Sequence, residues 1–323
     1  MKRTLLTLIC LLSGFGLIHG ALAQEYPEGP ITLVVANPPG GSSDINARIL
    51  AEPWSKVLKQ PIVVANKPGL GGEIGTSIVA KTKPDGYTLL LALSAIVVAP
   101  EAERVSGKRP LYEVNQFEPI GLVSSDPMVL IVRSDAPWKN LGDLVRAAKE
   151  SPGTIFYSSS GNFGPIQLSI ELFAYQAGVK FAQVPFGGGS PAVLALLGNQ
   201  VQFTTAAPAV AAQQIASGKV RALAVSGNKR LASLPDVPTY KEAGYDAEFN
   251  IWAGVYAPAG TPKPVIETLR SSLKKAVHSP DYIKAMDAQG ILMDYRDAPE
   301  FKKFADEDGK RLQGIIRAIG KIE

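Results

Sequence analysis

The sequence predicts an α/β protein built from two domains. The chain has 323 residues, about twice the usual length of a single domain. Short runs rich in β-branched residues alternate with segments of helical periodicity, an order typical of largely parallel sheets flanked by helices. A hydrophobic fraction of 46% beside a charged fraction of 19% excludes a disordered chain.

The strand predictions rest on short apolar runs that end at glycine, proline or polar residues. The first run, Ile31-Thr32-Leu33-Val34-Val35-Ala36, is a clear example. Strands are predicted at residues 31–36, 62–65, 88–93, 128–132, 155–158, 181–184, 201–204, 222–226 and 252–257.

The helix predictions rest on apolar residues that recur every three to four positions. Helices are predicted at residues 44–58, 141–151, 165–177, 190–197, 210–217 and 263–277. The last segment has the most regular pattern, and Pro264 suits its first turn. Pro53 lies inside the first segment, where it predicts a kink or an early end of the helix.

The N-terminus has the pattern of a secretory signal peptide, residues 1–23. Lys2 and Arg3 precede an apolar run over residues 4–18, and the small-residue sequence Ala21-Leu22-Ala23 precedes Gln24. Removing this segment lowers the formal net charge from +4 to about +2, which predicts no nucleic-acid surface. No later run reaches the length of an apolar transmembrane helix, so we expect an exported protein.

The predicted mature chain lacks the residues that many catalytic and metal sites need. The only cysteine, Cys10, and one of two histidines, His19, belong to the signal peptide, which leaves only His278. A cysteine nucleophile and a Cys/His zinc site are therefore excluded, and a serine triad would have to use His278. The polar surroundings of His278 favour a solvated surface residue, and neither a metal nor another cofactor is predicted.

Two glycine-rich loops each connect a predicted strand to a predicted helix. One follows Ala36 and runs through Asn37-Pro38-Pro39-Gly40-Gly41-Ser42-Ser43-Asp44; the other runs from Ser158 through Ser159-Ser160-Gly161-Asn162-Phe163-Gly164-Pro165. Unpaired N–H groups and the helix dipole make such a loop a candidate anion site. The simpler interpretation is that Ser43 or Asp44 caps its helix and the glycines only turn the chain; both interpretations can hold together.

Other glycine-rich and aromatic positions are weaker candidates. The run at residues 69–75 lacks the spacing of a dinucleotide fingerprint, and the run at residues 186–190 lacks the lysine of a P-loop. Phe163, Phe186 and Trp252 could pack on a ligand or could belong to the core.

The motifs, taken in order, resemble those of one family over almost the whole predicted mature chain. The resemblance is to the extracytoplasmic solute-binding proteins of tripartite tricarboxylate transporters, also called Bug proteins. It is carried by Pro38-Pro39-Gly40-Gly41-Ser42-Ser43-Asp44, Asn66-Lys67-Pro68-Gly69-Leu70-Gly71-Gly72, Pro84-Asp85-Gly86-Tyr87-Thr88-Leu89, Tyr157-Ser158-Ser159-Ser160-Gly161, Leu234-Pro235-Asp236-Val237-Pro238-Thr239 and Ala257-Pro258-Ala259-Gly260-Thr261-Pro262.

The resemblance implies a type II periplasmic binding fold, or Venus flytrap, in which two lobes close on a ligand. The first lobe would comprise residues 24–124 and 250–323, and the second lobe would be an insertion of residues 125–249. The ligand would be an organic carboxylate held by the two glycine-rich loops. The implied ligand-binding residues are Pro39, Gly40, Gly41, Ser42, Ser43, Asp44, Ser94, Ser158, Ser159, Ser160, Gly161, Asn162, Phe163, Phe186, Gly187, Gly188, Thr204, Thr205 and Trp252.

This chain departs from the family pattern at several positions near the expected cleft. Phe186-Gly187-Gly188-Gly189 replaces a loop that often contains lysine, Gln167 stands where histidine is common, and Val201-Gln202 replaces Val-Asp. A less charged wall favours an aromatic or otherwise apolar carboxylate, such as terephthalate, over citrate.

The sequence therefore predicts a periplasmic, monomeric binding protein without enzymatic activity. Its partners would be a di- or tricarboxylate or an aromatic carboxylate, and the large and small membrane subunits of the transporter. Two alternatives stay open: a binding protein that hands its closed form to a sensor kinase, and a periplasmic hydrolase that uses a serine near Gly161. The hydrolase lacks a nucleophile elbow and a general base.

Overall fold

The computed structural model describes residues 26–319, so the predicted signal peptide lies outside the described residues. The strands are β1 (Ile31–Val35), β2 (Ile62–Asn66), β3 (Thr88–Leu93), β4 (Phe117–Pro127), β5 (Val129–Arg133), β6 (Phe156–Ser159), β7 (Ala182–Pro185), β8 (Phe203–Ala206), β9 (Val220–Val225), β10 (Asn250–Pro258) and β11 (Met293–Asp297). The helices are α1 (Ser42–Leu58), α2 (Glu73–Val79), α3 (Ala99–Val105), α4 (Leu141–Glu150), α5 (Pro165–Ala177), α6 (Gly189–Leu197), α7 (Pro208–Ala216), α8 (Lys263–Val277), α9 (Pro280–Gln289) and α10 (Ala298–Ile319).

The first lobe is built on a six-stranded sheet in the order β11-β4-β10-β3-β1-β2. Strands β2, β1 and β3 are parallel, and β10, β4 and β11 continue the sheet in antiparallel pairs. Four of the five residues of β1 are buried, as expected of a strand covered on both faces. Helices α1 and α8 pack on this sheet, where the indole Nε1 of Trp54 donates to Ser272 Oγ at 2.9 Å.

The second lobe is built on a five-stranded sheet in the order β7-β6-β8-β5-β9. Strands β7, β6 and β8 are parallel, while β5 is antiparallel to both β8 and β9. Three helices of this lobe, α5, α6 and α7, begin just after the ends of β6, β7 and β8. Because those strands are parallel, these helices start at the same edge of the sheet.

Two crossover segments connect the lobes. Only Met128 separates β4 of the first sheet from β5 of the second, and the return path lies between β9 and β10. Ser226 links the two segments: its Oγ accepts from Met128 N at 2.7 Å and donates to Phe249 O. Strand β4 pairs in the first sheet as far as Pro127, so the chain leaves that sheet three residues after the predicted lobe limit at 124.

The predicted α/β class is confirmed, but the expectation of largely parallel sheets is wrong. Both sheets are mixed, because the chain crosses from one lobe to the other and returns. The crossover strands therefore enter each sheet in opposite directions, as in the antiparallel pairs β4–β10 and β5–β9.

Every predicted helix and strand has an observed counterpart close to its predicted position, but six observed elements were not predicted. Helices α2, α3, α9 and α10 and strands β4 and β11 are additional. The polar and proline positions Glu118, Pro119 and Ser124 obscure the apolar pattern of β4. Helix α1 does not end early at Pro53 but runs on to Leu58, because Pro53 and Trp54 are both buried against the lobe. It also begins at Ser42, two residues before the predicted start. Within residues 26–319, no helix has the length and hydropathy needed to cross a bilayer.

Candidate functional site

A narrow cleft with a cavity of about 30 Å³, partly open to solvent, lies between the two lobes. Both lobes contribute to its walls, and their composition, mainly apolar with a few polar groups, is typical of a small-molecule site. The lining residues are Asn37, Gly41, Ser42, Ser43, Leu93, Met128, Ser160, Pro165, Ile166, Gly189, Ala206, Ala207, Val210 and Ile251. None of them is charged, and eight of them are apolar residues other than glycine.

Asp44 organises the first-lobe loop and does not face the cleft. Its Oδ2 accepts from Gly40 N at 2.9 Å and from Arg48 Nε at 3.0 Å, and its Oδ1 accepts from Asn66 Nδ2 at 3.0 Å. Burial alone would raise the pKa of the Asp44 carboxyl, but these hydrogen bonds outweigh it and keep the pKa below its ordinary value. Asp44 therefore fixes the shape of the loop as an ionised carboxylate paired with Arg48.

The loop presents hydrogen-bond donors to the cleft. Ser43 Oγ donates to Asn37 Oδ1 at 2.9 Å, so the amide nitrogen of Asn37 is the group left to donate to a ligand. Helix α1 begins immediately after Gly41 and receives no side-chain cap. Its first N–H groups and its positive dipole end are therefore available at the cleft.

The second-lobe loop contributes a matching set of donors. Helix α5 begins at Pro165 after Gly164, again without a side-chain cap. Ser160 lies beside this terminus, and its buried Oγ has no hydrogen-bond partner within residues 26–319. A buried hydroxyl without a partner is costly, which is expected if a ligand supplies the missing acceptor.

Two further helices begin at the same cleft. Helix α6 follows Gly188 and helix α7 follows Ala207, and neither has a side-chain cap. Helices α2, α3 and α8 also begin without a side-chain cap, so the position of α1, α5, α6 and α7 at the cavity, and not the missing cap alone, distinguishes these four helices. The dipoles of α1, α5, α6 and α7 therefore converge on one uncharged cavity, an arrangement suited to an anion such as a carboxylate.

The lobes touch each other at two places beside the cleft. Ser190 Oγ of the second lobe donates to Gly40 O of the first lobe at 2.8 Å. At the other place Gly71 lies so close to the second lobe that an alanine Cβ there would be 2.6 Å from Asn162 O. Only a residue without a side chain allows this approach, so a glycine at position 71 is needed for the contact between the lobes.

The structure brings only part of the predicted site to the cleft. Gly41, Ser42, Ser43 and Ser160 line it, whereas Ser94 and Trp252 do not. Trp252 is fully buried, and its Nε1 donates to Asp308 Oδ2 at 2.9 Å, so it belongs to the core of the first lobe.

The remaining predicted residues lie in or next to the loops but do not line the cleft. Ser158 Oγ donates to Ala192 O, and Thr204 Oγ1 donates to Ser158 O. Another group lies in the same loops or strands without lining the cleft: Pro39, Gly40, Ser159, Gly161, Asn162, Phe163, Phe186, Gly187, Gly188 and Thr205. Asn162 and Phe163 instead line a neighbouring cavity.

Several cleft residues are not among the predicted ones. Met128 and Ile251 come from the crossover strands, and Ile166 and Val210 come from the first turns of α5 and α7. The strand-to-helix pattern of Thr204-Thr205-Ala206-Ala207-Pro208 is the signal that could have identified the α7 terminus. Met128 and Ile251 carry no comparable signal, because an apolar crossover residue resembles any core residue.

No grouping of three or more metal-ligating side chains occurs within the described residues. His278, the histidine that a serine triad would need, lies at the end of α8 and contacts Lys274 O through Nδ1 at 2.7 Å. It lines neither the cleft nor the neighbouring cavity.

Comparison with known proteins gives consistent results. The profile of the tripartite tricarboxylate transporter family receptor, TctC, matches residues 46–321. The periplasmic binding protein BugD is 35% identical, with a TM-score of 0.84 over 91% of this chain and 98% of BugD. MatC (Rpa3494) from Rhodopseudomonas palustris with bound malate is 27% identical, with a TM-score of 0.85 over 90% of this chain and 100% of MatC.

A further similar structure is R. palustris Rpa4515 with adipate, which is 27% identical, with a TM-score of 0.85 over 91% of this chain and 98% of Rpa4515. These relatives are binding proteins and not enzymes, which confirms the prediction of a non-enzymatic protein. The two-lobed fold and the resemblance to Bug proteins are confirmed as well. The chain belongs to the family of tripartite tricarboxylate transporter receptors.

Proposed function

We propose that this protein captures an organic carboxylate in the interlobe cleft and delivers it to the membrane subunits of a tripartite tricarboxylate transporter. The observation that carries the proposal is the convergence of four helix N-termini without side-chain caps on a cleft whose lining lacks lysine and arginine. The signal-peptide pattern supports a periplasmic location, and a monomer is the expected state.

The composition of the cleft narrows the class of ligand. Leu93, Met128, Ile166, Val210 and Ile251 surround the helix termini with apolar surface. This surface favours a carboxylate with an apolar body, aromatic or aliphatic, over a densely charged tricarboxylate. The adipate of one relative is a carboxylate with such a body, and the malate of another is a smaller one.

Capture would operate by lobe closure. A carboxylate held by α1 of the first lobe and by α5, α6 and α7 of the second makes its full set of contacts only when the lobes meet. Its greater affinity for the closed state would then shift the population toward closure. The closed form would be the form that the transporter recognises.

The first experiment is thermal unfolding of residues 24–323 against a panel of carboxylates. The panel contains malate, adipate, terephthalate, citrate, acidic amino acids and inorganic anions. A ligand at about 100 times its dissociation constant should stabilise the fold by about 2.7 kcal/mol. The proposal predicts stabilisation by an apolar carboxylate that is recovered unchanged, and it fails if ligand-free protein responds to no carboxylate.

A pair of serine substitutions tests the location of the site. Ser160 and Ser94 both have a buried Oγ without a partner within the described range, but only Ser160 lines the cleft. Ser160→Ala should weaken carboxylate affinity by about 10- to 100-fold through loss of a hydrogen bond to a charged group, and Ser94→Ala should not. Equal carboxylate affinities of the two variants in isothermal titration calorimetry would show that the ligand does not bind at Ser160.

A further inference from the structure

A second cavity, of about 20 Å³, lies next to the cleft and is also formed by both lobes. Asn37 and Leu93 belong to the walls of both cavities. The first lobe contributes the loop at Leu70 and the start of α2, and the second lobe contributes Asn162 and Phe163. The second cavity therefore adjoins the cleft at Asn37 and Leu93, and its volume suits an end group about the size of a water molecule or an ammonium ion.

The chemistry of the second cavity is unlike that of the cleft, because Glu73 is in its wall. This side chain is only 5% exposed, and its Oε2 receives no hydrogen bond from any described residue. No lysine or arginine lines the cavity. Apart from its hydrogen bond with the side chain of Glu103, Glu73 therefore presents a buried carboxyl as a polar group in the cavity wall.

A second buried carboxyl, Glu103, stands beside Glu73. Glu103 is 8% exposed and its Oε2 accepts from Leu111 N at 3.1 Å. Burial, followed by the charge of Glu103 and a hydrogen bond with its side chain, raises the pKa of Glu73 to about 8, and the charge of Lys108 opposes this only in part. At neutral pH Glu73 therefore keeps its proton beside the charge of Glu103.

We infer that the second cavity binds the far end of the carboxylate ligand and selects a hydrogen-bond donor at that end, above all an ammonium group. This inference rests on the proposed function, since the carboxylate itself is held by the helix termini of the cleft. An ionised second carboxylate would meet the negative charge of the Glu73–Glu103 pair and no lysine or arginine in the cavity wall. The favoured class is an ω-amino carboxylate, and a matched dicarboxylate is disfavoured.

The test compares acids that differ only at the far end. Adipate, 6-aminohexanoate and hexanoate form one set, and succinate, 4-aminobutanoate and butanoate form a shorter set. At pH 7 the amino acid of at least one set should bind about tenfold more tightly than its dicarboxylate, measured by titration calorimetry. If dicarboxylates or alkyl acids bind as well as the amino acids, the inference is wrong but the proposed function stands. If none of the six acids binds, the inference is wrong, and the proposed function fails as well only when no carboxylate of the thermal-unfolding panel stabilises the protein.

Two substitutions at Glu73 assign the effect to this side chain. Glu73→Gln keeps an acceptor in the cavity and leaves the single negative charge on Glu103, so the preference for the amino end should persist within about threefold. Glu73→Met removes the acceptor at similar volume and should weaken 6-aminohexanoate about tenfold relative to hexanoate. Glu150→Met, an exposed position at the end of α4, is the control. An unchanged preference in Glu73→Met would overturn the assignment.

Discussion

The proposed lobe closure requires a glycine at position 71, and replacing it should weaken ligand binding. Gly71 lies in the loop before α2 with a φ of +65°. An alanine Cβ there would lie 2.6 Å from Asn162 O and 3.3 Å from Gly164 N, both on the second lobe. Because both neighbours are backbone atoms, the clash is relieved only if the lobes move apart.

The size of the effect follows from where the clash occurs. Overpacking of this kind costs about 1–3 kcal/mol. The cost falls on the closed state alone, so Gly71→Ala should weaken carboxylate affinity by about 5- to 150-fold. An alanine with positive φ also costs about 1 kcal/mol, but this second cost falls equally on the open and closed states and cancels in the affinity.

A matched control separates the two costs. Gly290, also on the first lobe, has nearly the same φ, +66°, and an alanine Cβ there would have no neighbour within 4 Å. Gly290→Ala should lower the melting temperature about as much as the left-handed strain of Gly71→Ala does, yet it should bind as the unmodified protein does. The assay is titration calorimetry with the carboxylate that stabilises the protein most. The reasoning is refuted if Gly71→Ala binds as tightly as Gly290→Ala.

Two other predictions concern stability. Asp126 is buried near the crossover, and burial raises its pKa to about 7 against the hydrogen bond from Leu292 N. The folded protein keeps a proton that the unfolded chain releases, so the free energy of unfolding should fall as the pH rises from about 4 to 7. Asp126→Asn should flatten this pH dependence in urea titrations. Parallel curves of unfolding free energy against pH for the two proteins would contradict the prediction. Trp54→Phe removes the hydrogen-bond donor to Ser272 between α1 and α8. It should lower the free energy of unfolding by about 1–3 kcal/mol without changing carboxylate affinity. An altered affinity would show that the packing of α1 on α8 affects the cleft.

Local features of the sequence were enough to predict most of the secondary structure. Helix α8 has the predicted limits because its apolar period and Pro264 act within the segment itself. The two glycine-rich loops were predicted for the same reason, since a strand, a glycine run and a helix follow one another along the chain. Pro53 shows the limit of such rules: burial of α1 against the first lobe overrides the local tendency of proline to end a helix.

Local sequence was enough to predict a glycine-rich strand-to-helix loop in each half of the chain and to make both loops candidate anion sites. The meeting of four helix N-termini at one cleft depends on tertiary structure, because each terminus lies at a strand end whose place depends on sheet order. The tertiary structure also decided that Trp252 lies in the core and not in the site. In the same way, it placed Glu73 beside Glu103, thirty residues away, since their contact depends on the folding of the first lobe and not on their spacing along the chain.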